Sequence, residues 1–136
     1  MEARKITEKD FIKITQWYKE REWPLMSRDF LPENGTGGLI VSHEGVDIVA
    51  GFIWFTNSKI AWFGFPISDP KYKEKNKSEA VDILITCVEK VCKDAGSKVM
   101  FTYLNQDSNY TKGVERYKDL GWVVHETTTQ MLKEIK

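Results

Sequence analysis

A mixed α/β fold with a mostly antiparallel central sheet, one parallel strand pair and helices on both faces is predicted by three features of this chain. Two short turns, Glu44-Gly45 and Asn57-Ser58, separate the apolar runs 39–42, 48–56 and 60–67, the pattern of an antiparallel meander. After the third run, Ala80, Val81, Leu84, Cys87, Val88, Val91, Cys92 and Ala95 recur at helical period. A further extended run, 99–104, follows that helix, and a helix of this length bridging two strands makes them a parallel pair.

The other elements flank this centre. Residues 4–7 read as a first strand. Thr7 and Asp10 are candidate caps for a helix whose apolar face carries Phe11, Ile14, Trp17 and Tyr18. Pro24 is expected to end it or to start the next piece. Residues 25–30 suit a second short helix, and 32–38, with a proline, Asn-Gly and Gly-Gly, suit a loop. The lysine-rich segment 69–77 is a loop, the long helix starts at Ser78, and Gly96 sits where a C-terminal glycine cap belongs. A loop over 105–109 leads to an amphipathic helix marked by Tyr110, Val114, Tyr117 and Leu120 and closed by Gly121. Residues 122–132 read as one strand or a very tight hairpin.

Composition bounds the function. The 136 residues suit one domain spanning 1–136, and 41% hydrophobic with 29% charged residues is ordinary for a globular chain. Lys plus Arg and Asp plus Glu both number 20, so the basic excess of a nucleic-acid binder is missing. Cys87 and Cys92, five apart on one helix, suit two small hydrophobes in a reducing compartment rather than a disulfide or a zinc site. The N-terminus has no apolar signal core, and no run approaches the roughly 20 apolar residues of a membrane span, so a cytoplasmic protein is expected.

The element order resembles the GCN5-related N-acetyltransferase (GNAT) fold over nearly the whole chain. Three segments carry the resemblance: residues 4–11 (RKITEKDF), residues 67–73 (ISDPKYK), and residues 109–122, where Tyr117, Gly121 and Trp122 are similar to a Tyr-x-x-x-Gly-Phe signature. The chain also resembles small acetyltransferase-like proteins of bacteriophages. The resemblance implies acetyl-CoA as co-substrate, lying in a V-shaped opening between the strands 60–67 and 99–104. Pro66, which cannot donate to a ladder, suits a bulge there. Ile67 and Ser68 would line the opening, with an amide near Ile67 holding the oxyanion. Asn109 would bind the cofactor arm, and Tyr117 would protonate the departing thiolate. A small-molecule or protein amine is the implied acceptor. The chain is short for the family's last two strands, and a second copy completing the sheet edge as a homodimer fits that shortfall.

One segment departs from the family's pattern. The Arg/Gln-x-x-Gly-x-Gly/Ala pyrophosphate loop falls on Lys73, Glu74, Lys75, Asn76, Lys77 and Ser78, without either glycine. Asn76 is expected to tolerate a left-handed conformation and Ser78 to cap the helix. Lys71, Lys73, Lys75 and Lys77 attract phosphate; Glu74, Glu79 and Asp82 repel it. A phosphate-binding nest and a solvated, self-capped helix start are both compatible with these residues. Trp23, Trp54 and Trp62 are candidates for the acceptor pocket, with Trp17 beside them; core packing explains most of these aromatics equally well, and Trp23 is the one expected at the surface. Neither His43 nor His125 suits a general base. An enzyme and an inactive binding module on the same fold are the two readings.

Overall fold

The computed structural model describes residues 1–107 and 109–136. The described residues form β1 (Glu2–Lys5), α1 (Glu8–Glu20), β2 (Gly38–His43), β3 (Val46–Phe55), β4 (Ile60–Ser68), α2 (Lys77–Asp94), β5 (Val99–Thr102) and α3 (Tyr110–Asp119). Short 3-10 turns lie at Arg28–Phe30 and Pro32–Gly35. Two compact units result: Met1–Tyr103 holds the sheet, α1 and α2, and Leu104–Lys136 holds α3.

The sheet runs β1-β2-β3-β4-β5, antiparallel except for the parallel β4–β5 pair. Glu44 and Gly45, with φ of 51° and 79°, make the tight β2–β3 turn. Residues 48–53 of β3 are all buried, because both faces of the sheet are covered. On one face Ile40, Ala50, Phe52 and Ile67 pack with Phe11, Ile14, Trp17 and Tyr18 of α1. Toward α2, a Cβ on Gly51 would strike Phe63 and meet Leu84, so strand and helix approach closely there. Trp17 is therefore a core residue, 4% exposed.

Thr7 caps α1 through a capping box with Asp10. Asp10 also takes two hydrogen bonds from Arg4, at 2.5 and 3.0 Å, and Arg4 with Lys13 reaches Asp47, which ties β1, α1 and β3 together.

Several expectations shift. The first strand lies at Glu2–Lys5, two residues earlier than expected, because Thr7 is committed to its cap. The piece expected over 25–30 shrinks to one 3-10 turn. The first helix ends at Glu20, before Pro24 can act: Glu22 adopts φ 56° and the chain reverses there. Residues 122–136 form no strand, so the expected strand or hairpin over 122–132 is corrected; Val123, Met131 and Leu132 are 84%, 89% and 79% exposed. A strand needs a neighbour for its N–H and C=O groups, and these residues enter no ladder. The loop expected over 105–109 includes Ser108, which lies outside the described residues.

Candidate functional site

The site grows from one irregularity in β4. Phe52 pairs with Gly64 and Ala50 with Ile67, so Gly51 faces two residues, Phe65 and Pro66. That is a β-bulge, with Phe65 in the left-handed region at φ 50°. Pro66, which has no N–H to lose, sits inside it as expected. Gly64 lies under Trp54, whose Cζ3 would stand 2.9 Å from an added Cβ.

Beyond this point β4 loses its parallel neighbour. β5 pairs with residues 60–63 only, and the Thr102 hydroxyl closes the ladder by donating to the Phe63 carbonyl at 2.8 Å. Among the described residues, 64–68 therefore keep β3 on one side and have no strand on the other. Asp69 donates to Ile48, so alternation turns Ile67 toward β3 and Ser68 away from it. Ile67 is buried and paired with Ala50, so of the amides near Ile67 that of Ser68 is the one turned to the open edge. Two side chains at the C-terminal end of α1, Tyr18 in its last turn and the C-cap Arg21, reach this opened segment. The Tyr18 hydroxyl donates to the Phe65 carbonyl at 2.7 Å, and Arg21 donates to the Ser68 carbonyl at 3.0 Å and to Ser68 Oγ at 2.9 Å.

The loop that follows is exposed at Lys71, Lys73, Glu74 and Lys75. None of residues 73–78 has positive φ, so the left-handed conformation that Asn76 could tolerate is not used; its φ is −78°. The helix starts at Lys77 with Asn76 as its N-cap, so Ser78 lies inside the first turn and is not the cap. The Asn76 side chain makes no capping bond, because its Oδ1 takes the Tyr72 hydroxyl at 2.6 Å. Asn76 thus gives the first turn of α2 no side-chain cap. Of the lysines, Lys71 pairs with Glu20 at 3.4 Å. Lys77 is half-buried; burial, followed by the charges of Arg21 and Lys73, pushes its pKa down. Those three cations crowd one helix start, whose only acidic side chain in the first turn is Glu79; Asp82 lies a turn later.

The tryptophans divide. Trp23 is 49% exposed, as expected, with its ring edge-on to Tyr18 and Arg21 over its face. Trp54 and Trp62 are cross-strand partners on one face. Trp54 packs against the core and its Nε1 donates to the Phe30 carbonyl at 3.4 Å. Trp62 stacks on Phe101 and Tyr103 at 4.7 and 5.2 Å between ring centres. A trough of about 810 Å³ runs elsewhere, along α1 and the turn at 45–47. Of its charges, Lys13 pairs with Asp47 and Lys71 with Glu20.

In Leu104–Lys136, Asn109 is the N-cap residue of α3 without a side-chain cap. Tyr117 is 7% exposed and meets Trp122 edge-on at 5.1 Å. Trp122 donates to the Tyr117 carbonyl, Gly121 to that of Lys118, and Gly121 has φ 92°. This is a Schellman helix stop with its customary apolar contact. Tyr117, Gly121 and Trp122, which carried a strong part of the resemblance, therefore also have a purely conformational role.

Cys87 and Cys92 are free thiols, and burial pushes Cys92 up to about 11. Among the described residues no three His, Cys, Asp or Glu side chains converge on a metal position. No helix among them is long and apolar enough to cross a membrane. His43 ends β2 and His125 lies in the strandless segment.

An antiparallel meander, a β4 bulge, a parallel β4–β5 pair that parts, and a helix start beyond it together define the GNAT fold, and comparison with solved structures agrees. An acetyltransferase of Trypanosoma brucei superposes with a TM-score of 0.66 at 16% identity, over 97% of this chain and 99% of that one. The aminoglycoside N-acetyltransferase AAC(6')-Iy in complex with CoA gives 0.67 at 14% identity, over 98% and 100%. A Mycobacterium tuberculosis protein in complex with CoA gives 0.70 at 13% identity, over 96% and 76%. No family model and no curated protein sequence matches the chain.

Proposed function

We propose that this chain is an N-acyltransferase that moves acetyl from acetyl-CoA to an amine. The observation that carries this reading is the opening of β4 beyond Phe63, where the bulge leaves residues 64–68 without a strand on one side. An extended pantetheine arm with amide groups suits such an edge. The first turn of α2, to which the Asn76 side chain gives no cap and around which Lys77, Lys73 and Arg21 lie, suits the diphosphate. Positive φ, one of the two reasons for glycine in such a loop, is used by none of residues 73–78. Lys73, Lys75, Lys77 and Ser78 are assigned to the phosphates, with Asn76 and Glu74 shaping the turn.

In the reaction a neutral amine nitrogen attacks the thioester carbonyl carbon. The C–N bond forms, the C–S bond breaks, and sulfur leaves as thiolate. The ammonium proton passes to water, and a hydroxyl returns a proton to sulfur. Tyr117 keeps that role from the resemblance, and Asn109 that of a ligand to the arm. Trp62, stacked with Phe101 and Tyr103, and the exposed Trp23 offer aromatic walls to the acceptor's body or cation. Proteins of this fold acetylate aminoglycosides, as AAC(6')-Iy is named for, which favours a small-molecule acceptor.

Thermal melting with acetyl-CoA tests the reading. At a hundredfold excess over Kd the folded state gains about 2.7 kcal/mol; an unmoved Tm at millimolar acetyl-CoA removes the enzyme. Tyr117→Phe is expected to cut turnover at unchanged Tm, and equal turnover returns Tyr117 to its helix-stop role. The second reading, an inactive binding module, is favoured by the absent glycines and by Glu79 at the helix start.

A further inference from the structure

Two side chains three residues apart, Tyr18 in the last turn of α1 and Arg21 at its C-cap, reach the same short stretch of β4. Tyr18 is 4% exposed, and its hydroxyl ends on the Phe65 carbonyl inside the bulge. Its ring also meets Phe65 edge-on at 6.4 Å. Arg21 places two nitrogens on the Ser68 carbonyl, at 3.2 and 3.0 Å, and one of them on Ser68 Oγ. These carbonyls bracket the segment that β5 leaves. In a continuous parallel ladder a strand's free edge would find partners in its neighbour. Here helix side chains supply partners at both ends instead. Phe65 pays a conformational cost for its left-handed backbone, and such a conformation persists only where its surroundings hold it.

We propose that Tyr18 and Arg21 form a clamp that holds residues 64–68 apart from the fifth strand, and so act as positioning residues for the pantetheine arm of acyl-CoA. This rests on the acyltransferase reading for its ligand, but not for the clamp itself. Neither residue touches the reacting atoms; both act through the main chain of β4. Removing one hydroxyl frees the bulge to relax toward a regular strand, and the edge the arm would meet is lost. The diphosphate meets α2 rather than β4, so its binding does not depend on Tyr18.

Tyr18→Phe keeps the buried ring and deletes the bond to Phe65. In the free protein, hydrogen–deuterium exchange of peptides spanning 64–68 should rise at least fivefold, while peptides from β2 stay unchanged. With calorimetry, CoA affinity should fall about tenfold and ADP affinity should stay within twofold. Unchanged exchange at 64–68 overturns the clamp, whatever the ligands do. Raised exchange with CoA and ADP weakened equally overturns the positioning role. If the wild-type protein binds neither CoA nor ADP, the acyltransferase reading falls and the positioning role with it, and exchange still decides the clamp. Arg21→Lys, which cannot place two nitrogens on Ser68, should give the same exchange signature at the C-terminal end of the segment.

Discussion

Asp10 shows how one carboxylate can knit an N-terminus. Burial pushes its pKa up, but the hydrogen bonds from Arg4 and Thr7 and the charge of Arg4 outweigh it, and the value falls to about 2. A folded-state pKa below the ordinary 3.8 stabilises the fold above that value, and the contribution is lost as pH falls through about 2. Asp10→Asn should cost about 2 kcal/mol at neutral pH and flatten the pH dependence of denaturant midpoints between pH 4 and 2. The same steepness in both proteins would place the acid sensitivity elsewhere. Cys92 makes the opposite case: a buried thiol held at about 11 is neutral at pH 7, so it should react with a disulfide reagent only on unfolding, while half-buried Cys87 reacts first.

The three helices stop by one device. In each, the residue after the cap is left-handed and two reverse hydrogen bonds close the turn: Glu22 and Trp23 onto Lys19 and Tyr18, Gly96 and Ser97 onto Lys93 and Cys92, Gly121 and Trp122 onto Lys118 and Tyr117. Two of the three use glycine. The first uses Glu22, where a side chain makes the left-handed backbone costly by roughly 1 kcal/mol. Glu22→Gly should therefore raise stability by about 0.5–1 kcal/mol, read as a Tm increase of a few degrees. A lower Tm would mean that the Glu22 side chain contributes more than its backbone costs. The same turn of α1 carries Tyr18 and Arg21, so the helix stop also sets where the clamp on β4 can reach.

Across the whole molecule, net charge is zero while one corner is cationic. On the acyltransferase reading proposed above, CoA binding should weaken as salt rises, and Lys77→Gln should reduce both the affinity and its salt dependence. Lys71→Gln should change little, because Glu20 already neutralises that lysine at the surface. An affinity independent of salt would place the diphosphate away from α2's first turn.

Much of this fold was legible in residues near one another in sequence. The meander turns, the stripe from Ala80 to Cys92, the Thr7 cap and the glycine stops at 96 and 121 are local, because hydrogen-bond closure over a few residues and a 3.6-residue period are written in short windows. Pro66 likewise marked the bulge. What only tertiary structure decided is whatever depends on a partner distant in the chain. Tyr18 reads in sequence as one more apolar residue of a helical stripe, yet its hydroxyl ends on a carbonyl 47 residues away. Asn76 has the chemistry of a cap, yet the Tyr72 hydroxyl takes its side chain. Residues 122–132 have the composition of a strand and form none, since strand propensity becomes a strand only when another strand accepts its hydrogen bonds.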